Sequence, residues 1–157
     1  MDQDSKILMD ENNSYDPEVE FTLKRYDSID ELMLASIQVD ANARGKGEEL
    51  TMEDLKEATV HGLNPDEEEV EFTFEQQKEG IELMGHWGWI DEFKTIHYWI
   101  SNEKKVSLEE LIHFFAHEIG HRTGIELKDD FQEEMRAEGY GHAATLAYKL
   151  AKQHFND

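Results

Sequence analysis

Cysteine is absent from the 157 residues, so no disulfide framework is available and nothing places the chain in an oxidising compartment. Long apolar runs are absent as well: no stretch suits a bilayer span, and no basic and apolar leader opens the chain, so a cytoplasmic protein is expected. Positive charge is scarce, with 15 basic residues against 37 acidic ones and a formal net charge of -22. That balance repels nucleic acid and anionic membrane, so direct binding to either is not expected. It favours the capture of a divalent cation and, among substrates or partners, basic ones. With no proline- or serine-rich linker and no internal repeat, one domain is expected, large enough to bury a core unaided.

The segment MDQDSKILMDENNSYD is acidic and amide-rich, which predicts a flexible tail over 1–16 ahead of a single domain over 17–157. From Val19, EVEFTLKRY alternates with Val19, Phe21 and Leu23 on one side, the period of a strand that ends near Asp27. Ser28 and Glu31 form a capping box ahead of Ile29, Leu32, Met33 and Ile37, a helix stopped by the Gly45 to Gly47 stretch. Thr51 and Asp54, with Leu50 and Leu55 at staple positions, open a short helix that Gly62, Asn64 and Pro65 close. VEFTFE alternates again, Gln76 to Met84 has helical character, and EFKTIHYWIS reads as a strand from its aromatic and β-branched content. These elements predict an α+β fold: a small, mainly antiparallel sheet packed by helices.

After a polar turn, SNEKK, comes the segment that carries chemistry. Ser107 and Glu110 make a capping box, with Val106 and Leu111 as the staple, and the helix they start holds His117, Glu118 and His121 in an HExxH arrangement. At about 100° per residue, Leu108, Leu111, Ile112, Phe115 and Ile119 form one apolar stripe, while His113, His117 and His121 lie on the opposite face. The stripe is expected on the core and the histidines toward a cleft. Two imidazoles four residues apart can reach one tetrahedral ion, with the glutamate between them free to handle a proton. A bare HExxH also occurs in ordinary helices. Here Gly120 inside the motif, the stop at Gly124 and a following glutamate-rich helix strengthen the metal-site reading.

That helix, capped by Asp129 or Asp130, presents Glu134, Glu138 and His142 along one face. Glu134 is the expected third ligand. Glu138 would then accept a hydrogen bond from a ligating histidine, although either of the two could complete the shell. Glu133 is expected at the surface, with a shift in helix phase as the circumstance that would exchange these roles. Gly139 and Gly141 each cost roughly 1 kcal/mol inside a helix, which suggests close approach of two helices. For stabilising an oxyanion, His142 is the chosen residue, with Tyr140 and His97 as further candidates; Trp87, Trp89 and Trp99 are either an aromatic subsite or core.

HEIGHRTG followed by EEMRAE resembles the zincin-like metallopeptidases of the ImmA/IrrE group and the C-terminal metallopeptidase domain of ArdC-type antirestriction proteins. The resemblance covers about the last third of the chain. It implies a gluzincin-type site with His117 and His121 as ligands, Glu118 as catalytic base, Glu134 as third ligand, Zn2+ as cofactor, and a phage or mobile-element origin. The spacer between His121 and EEMRAE is shorter here than that group usually has. The expected activity is zinc-dependent hydrolysis of a protein or peptide, with EFKTIHYWIS lying along the cleft to hold extended substrate. The second reading is a catalytically inactive, acidic metal-binding module acting as an anti-defence or DNA-mimic protein.

Overall fold

The computed structural model describes residues 20–45, 47–63 and 65–156, so the expected tail over 1–16, along with Val19, lies outside the described residues. Five strands and five helices follow in the order β1 (Thr22–Arg25), α1 (Ile29–Ala43), α2 (Met52–Glu57), β2 (Thr59–Leu63), β3 (Glu69–Thr73), α3 (Phe74–Met84), β4 (His86–Ile90), β5 (Thr95–Ile100), α4 (Leu108–His121) and α5 (Asp130–Asn156). Among these residues no helix is long and apolar enough to cross a membrane.

The helix starts follow the local signals. Ser28, Thr51, Thr73 and Ser107 each accept a backbone N–H at the third helical position, and Thr51 and Thr73 complete reciprocal capping boxes. The α2 segment departs from expectation. It closes at Ala58, well before Gly62, and Thr59–Leu63 becomes β2 by pairing antiparallel with β3.

The main sheet has the order β1-β5-β4, with β5 in the centre. β4 pairs antiparallel to β5 and β1 parallel to it, so the sheet is mixed rather than mainly antiparallel. Its pleat divides two cores. Trp87 and Trp99, paired across β4 and β5, pack with Ile29, Met33, Leu55, Phe74 and Ile81 from α1 to α3. On the other face Ile90, Ile96 and Tyr98 pack on Phe114, Phe115 and Ile119 of α4. α4 therefore meets the sheet through Phe114 as well as the predicted stripe, while Leu108, from that stripe, is 58% exposed. Phe21, just before β1, joins the second core, but Leu23 within it is exposed, because this strand lies at the sheet edge.

Three glycines set the spacing of these layers. A Cβ on Gly88 would lie 2.4 Å from the His97 carbonyl oxygen and 2.6 Å from the Phe114 ring, so its bare backbone lets α4 settle on β4. A Cβ on Gly120 would stand 2.8 Å from Cα of Ala137, a fully buried residue of α5. Gly141 serves the same α4–α5 contact, with His113 atoms at 3.0 to 3.1 Å from its virtual Cβ, whereas Gly139 faces open space.

Opposite outcomes follow for two identical substitutions in α4 and α5. Gly120→Ala should destabilise the chain by about 1–3 kcal/mol, since a backbone atom blocks the methyl group. Gly139→Ala should stabilise it by up to about 1 kcal/mol through helix propensity alone. Urea unfolding of the two variants beside the parent checks both signs.

Candidate metal centre

α4 and α5 pack side by side, and between them and β4 opens a cleft of about 910 Å³. Along its floor lie His113, His117, Glu118 and His121 of α4, faced by Glu134 and Glu138 of α5, with His86, Trp87, Gly88 and Trp89 of β4 as the opposite wall.

The two ligand candidates of the HExxH motif converge. Nε2 of His117 and Nε2 of His121 stand 3.2 Å apart. Glu134 spans both, with one carboxylate oxygen 3.0 Å from the His117 nitrogen and the other 3.2 Å from that of His121. A carboxylate oxygen of Glu118 lies within 4.8 Å of the histidine donor atoms, so His117, Glu118 and His121 form a group able to hold a metal ion by distance alone. Of the two carboxylates Glu134 is the closer to both nitrogens.

The outer ring nitrogens explain why this cluster calls for a cation. Nδ1 of His117 is 2.6 Å from Glu138 Oε1, and Nδ1 of His121 is 3.0 Å from Glu133 Oε1. An ionised carboxylate only accepts, so each Nδ1 carries a hydrogen, and an imidazole that is neutral then turns its Nε2 lone pair inward. With both imidazoles in that form, two lone pairs and a carboxylate meet with no hydrogen between them. A proton on one imidazole relieves part of that contact; a metal ion relieves all of it.

The surrounding carboxylates are held in their roles. Hydrogen bonds from His113 and His117, with burial opposing them, hold Glu138 below the usual carboxylate range and keep it an acceptor. His113 Nε2 lies 3.0 Å from the same oxygen, so Glu138 ties two turns of α4 to α5. Glu118 is the opposite case. It is 8% exposed on the sheet side of α4, and burial, reinforced by the negative charge of Glu134 and opposed by Arg122, pushes its carboxyl up to about 8.

Several expectations change. Glu133 is not a surface carboxylate but the partner of His121, because the close α4–α5 approach lets adjacent residues of α5 reach adjacent turns of α4. His142 is outside the cleft lining: its side chain is 71% exposed, with Nε2 3.8 Å from Glu138 and its ring edge-on to His113. Tyr140 packs over Gly120, away from the cleft lining. His97 belongs to the sheet, bonded to Tyr26 Oη and Asp91 Oδ2 at 2.8 Å each and stacked on Trp89. Burial would raise the Asp91 carboxyl, but bonds from His97 and from the N–H groups of Thr95 and Phe93 outweigh it and hold the group low.

The strand along the cleft is β4, not β5, which is enclosed between β1 and β4. Trp87 and Trp89 line the cleft, and Trp87 also packs beside Trp99 in the core. Sequence reasoning missed Arg122, which donates to the carbonyls of Asp91 and Ile90 and so clips the end of α4 to the β4–β5 turn. Its position directly after the motif, at the helix end, was the available signal.

Comparison with known proteins gives no match: no family model, no curated protein and no solved structure is similar to this chain.

The raised Glu118 carboxyl has a consequence for metal-free protein. Neutral Glu118 suits the fold, so its contribution is intact below its ordinary value of 4.5 and is lost as pH rises toward about 8. Glu118→Gln removes that dependence. In EDTA, its stability advantage over the parent should widen between pH 5 and pH 8 in denaturant titrations; an equal difference at both pH values would contradict the burial argument.

Proposed function

We propose that this chain is a zinc-dependent metallopeptidase with a zincin-like fold, hydrolysing a protein or peptide substrate. The observation that carries the reading is the donor set formed by two inward Nε2 atoms and the Glu134 carboxylate, at edges of 3.0 to 3.2 Å. Zinc bonds of about 2.0–2.1 Å meeting at a tetrahedral angle need donors roughly 3.3 Å apart, and a site with three protein ligands keeps a fourth position open for chemistry. His117, His121 and Glu134 would hold the ion, with Glu138 and Glu133 orienting the imidazoles. Bound there, zinc supplies a Lewis acid that polarises a carbonyl and lowers the pKa of water to about 7.

The chain's own groups support peptide hydrolysis. Glu118, buried beside the ligands, has the tuning a general base needs near neutral pH: its carboxylate takes a proton from the attacking water and returns it to the leaving amine. β4 is the open edge of the main sheet beside the cleft, so its outward main-chain groups can pair with an extended peptide. The cleft is lined by Glu109, Glu110, Glu118, Glu134 and Glu138 against Lys149, which favours a basic segment over an acidic one.

Metal analysis by plasma mass spectrometry should find one zinc per chain in the parent and in Glu118→Gln, and none in His117→Ala. Cleavage of a basic peptide library should occur with the parent alone. Zinc without cleavage by the parent would instead favour the inactive metal-binding module, and absence of zinc would remove both readings. Glu133→Ala should keep the site but weaken zinc affinity by about 10–100-fold, the usual effect of removing a histidine's outer partner; competition with a chelating dye measures it.

A further inference from the structure

We propose that His113 is a positioning residue of the metal centre: it fixes the Glu138 carboxylate and, through it, the His117 imidazole. This rests on the reading of His117 as a zinc ligand and extends the working site one turn beyond the HExxH motif. A shared acceptor is the observation behind it. Glu138 Oε1 takes the Nδ1 hydrogen of His117 at 2.6 Å and lies 3.0 Å from Nε2 of His113. Because an ionised carboxylate only accepts, that Nε2 is its second donor. His113 repeats the spacing that separates His117 from His121, yet it lies outside the donor group and meets the ion's shell through Glu138.

Glu138 needs a second hold. Its side chain is 46% exposed, and its other oxygen lies 3.8 Å from His142, beyond hydrogen-bond reach. Held by one donor, a glutamate at a helix surface can turn toward water, and the His117 ring then loses the partner that sets its orientation and keeps hydrogen on Nδ1. Donors from two successive turns of α4 converge on one oxygen and remove that freedom. The second ligand is served in the same way. Glu133, bonded to His121 Nδ1, has Arg122 at 3.9 Å, and Arg122 is itself fixed on the carbonyls of Asp91 and Ile90. Each ligating imidazole thus leans on a carboxylate, and each carboxylate on a further basic side chain.

The seat of His113 is built to hold its ring in place. A Cβ on Gly141 would stand 3.0 Å from His113 Nε2 and 3.1 Å from its carbonyl oxygen. A residue that costs roughly 1 kcal/mol inside a helix is therefore what admits this imidazole between α4 and α5. Thr145 flanks the other ring nitrogen: its Oγ1 donates to the Gly141 carbonyl at 2.9 Å and lies 3.5 Å from His113 Nδ1. The His142 ring packs edge-on against it. Contacts on three sides leave Nε2 aimed at Glu138.

Two substitutions of similar size separate the hydrogen bond from the packing. His113→Leu fills the seat without a donor, whereas His113→Gln places an amide nitrogen where Nε2 stands. Competition for zinc with a chelating dye should show His113→Leu weakened by about 10-fold or more, the scale of a lost outer partner, and His113→Gln near the parent. Added to Glu138→Ala, His113→Leu should cost no further affinity, since the two act as one unit. In metal-free protein the His117 Nδ1 proton, on a bond of 2.6 Å, should give a downfield proton resonance in the parent and in His113→Gln that His113→Leu loses to exchange with water. Equal affinity in the parent and His113→Leu, a loss undiminished beside Glu138→Ala, or a His117 proton unmoved by His113→Leu overturns the proposal and leaves zinc binding by the parent intact. A parent that takes up no zinc overturns the zinc-site reading, and this proposal with it.

Discussion

The close approach of α4 and α5 is the constraint on which the rest depends. His117 and His121 come from one helix and Glu133, Glu134 and Glu138 from the other, so the donor atoms meet only at one separation of the helix axes. Gly120 against the buried Ala137, and Gly141 against His113, fix that separation by having no side chain. At the far side Gly88 lets Phe114 rest against β4, which brings the sheet edge to the same cleft. Three missing methyl groups thus set the distances that the chemistry needs.

Charge then becomes a folding problem as much as a functional one. Carboxylates converge between the helices in a chain already at -22, with too few cations to neutralise them. The histidines absorb part of this by donating Nδ1–H outward to Glu138 and Glu133. In their neutral form they then turn Nε2 lone pairs toward one another and toward Glu134, so the repulsion moves to the centre, where a cation can answer it. Glu118 answers differently, by being buried where its neutral form is favoured. The contrast between Glu138, held low, and Glu118, held high, on facing helices, follows from hydrogen-bond donors at the first and burial at the second.

Local signals in the sequence marked the helix starts and the motif well. Ser28, Thr51 and Ser107 are caps where their spacing put them, and the convergence of His117, His121 and Glu134 needs only helix periodicity and a neighbouring helix. Non-local pairing was not legible. EFKTIHYWIS has the stronger strand composition, but whether it is an edge depends on β1, whose Thr22 joins Thr95 across 73 positions. Glu133 was misplaced for a similar reason: the phase of a single helix tells which residues share a face, not how closely another helix comes. His97 has the right chemistry for a cleft residue, yet Tyr26 and Asp91, distant in sequence and near in sequence respectively, both claim its nitrogens.

α5 also shows why hydrophobic periodicity fails as a guide there. Its inner face is polar because it must supply carboxylates to α4, and the apolar residues are displaced to the opposite side, where Leu146 and Leu150 stand exposed. The usual reading of an amphipathic helix, apolar side inward, is inverted over much of its length. Packing between the helices therefore rests on small residues, with Ala137 wholly buried and Gly120 and Gly141 opposite, and on hydrogen bonds such as His113 to Glu138. Contacts of this kind specify position more than they stabilise, since each polar bond replaces one to water and contributes about 1 kcal/mol net. A helix anchored in that way gains more of its fixity from whatever relieves the charge at its inner face than from its own apolar surface.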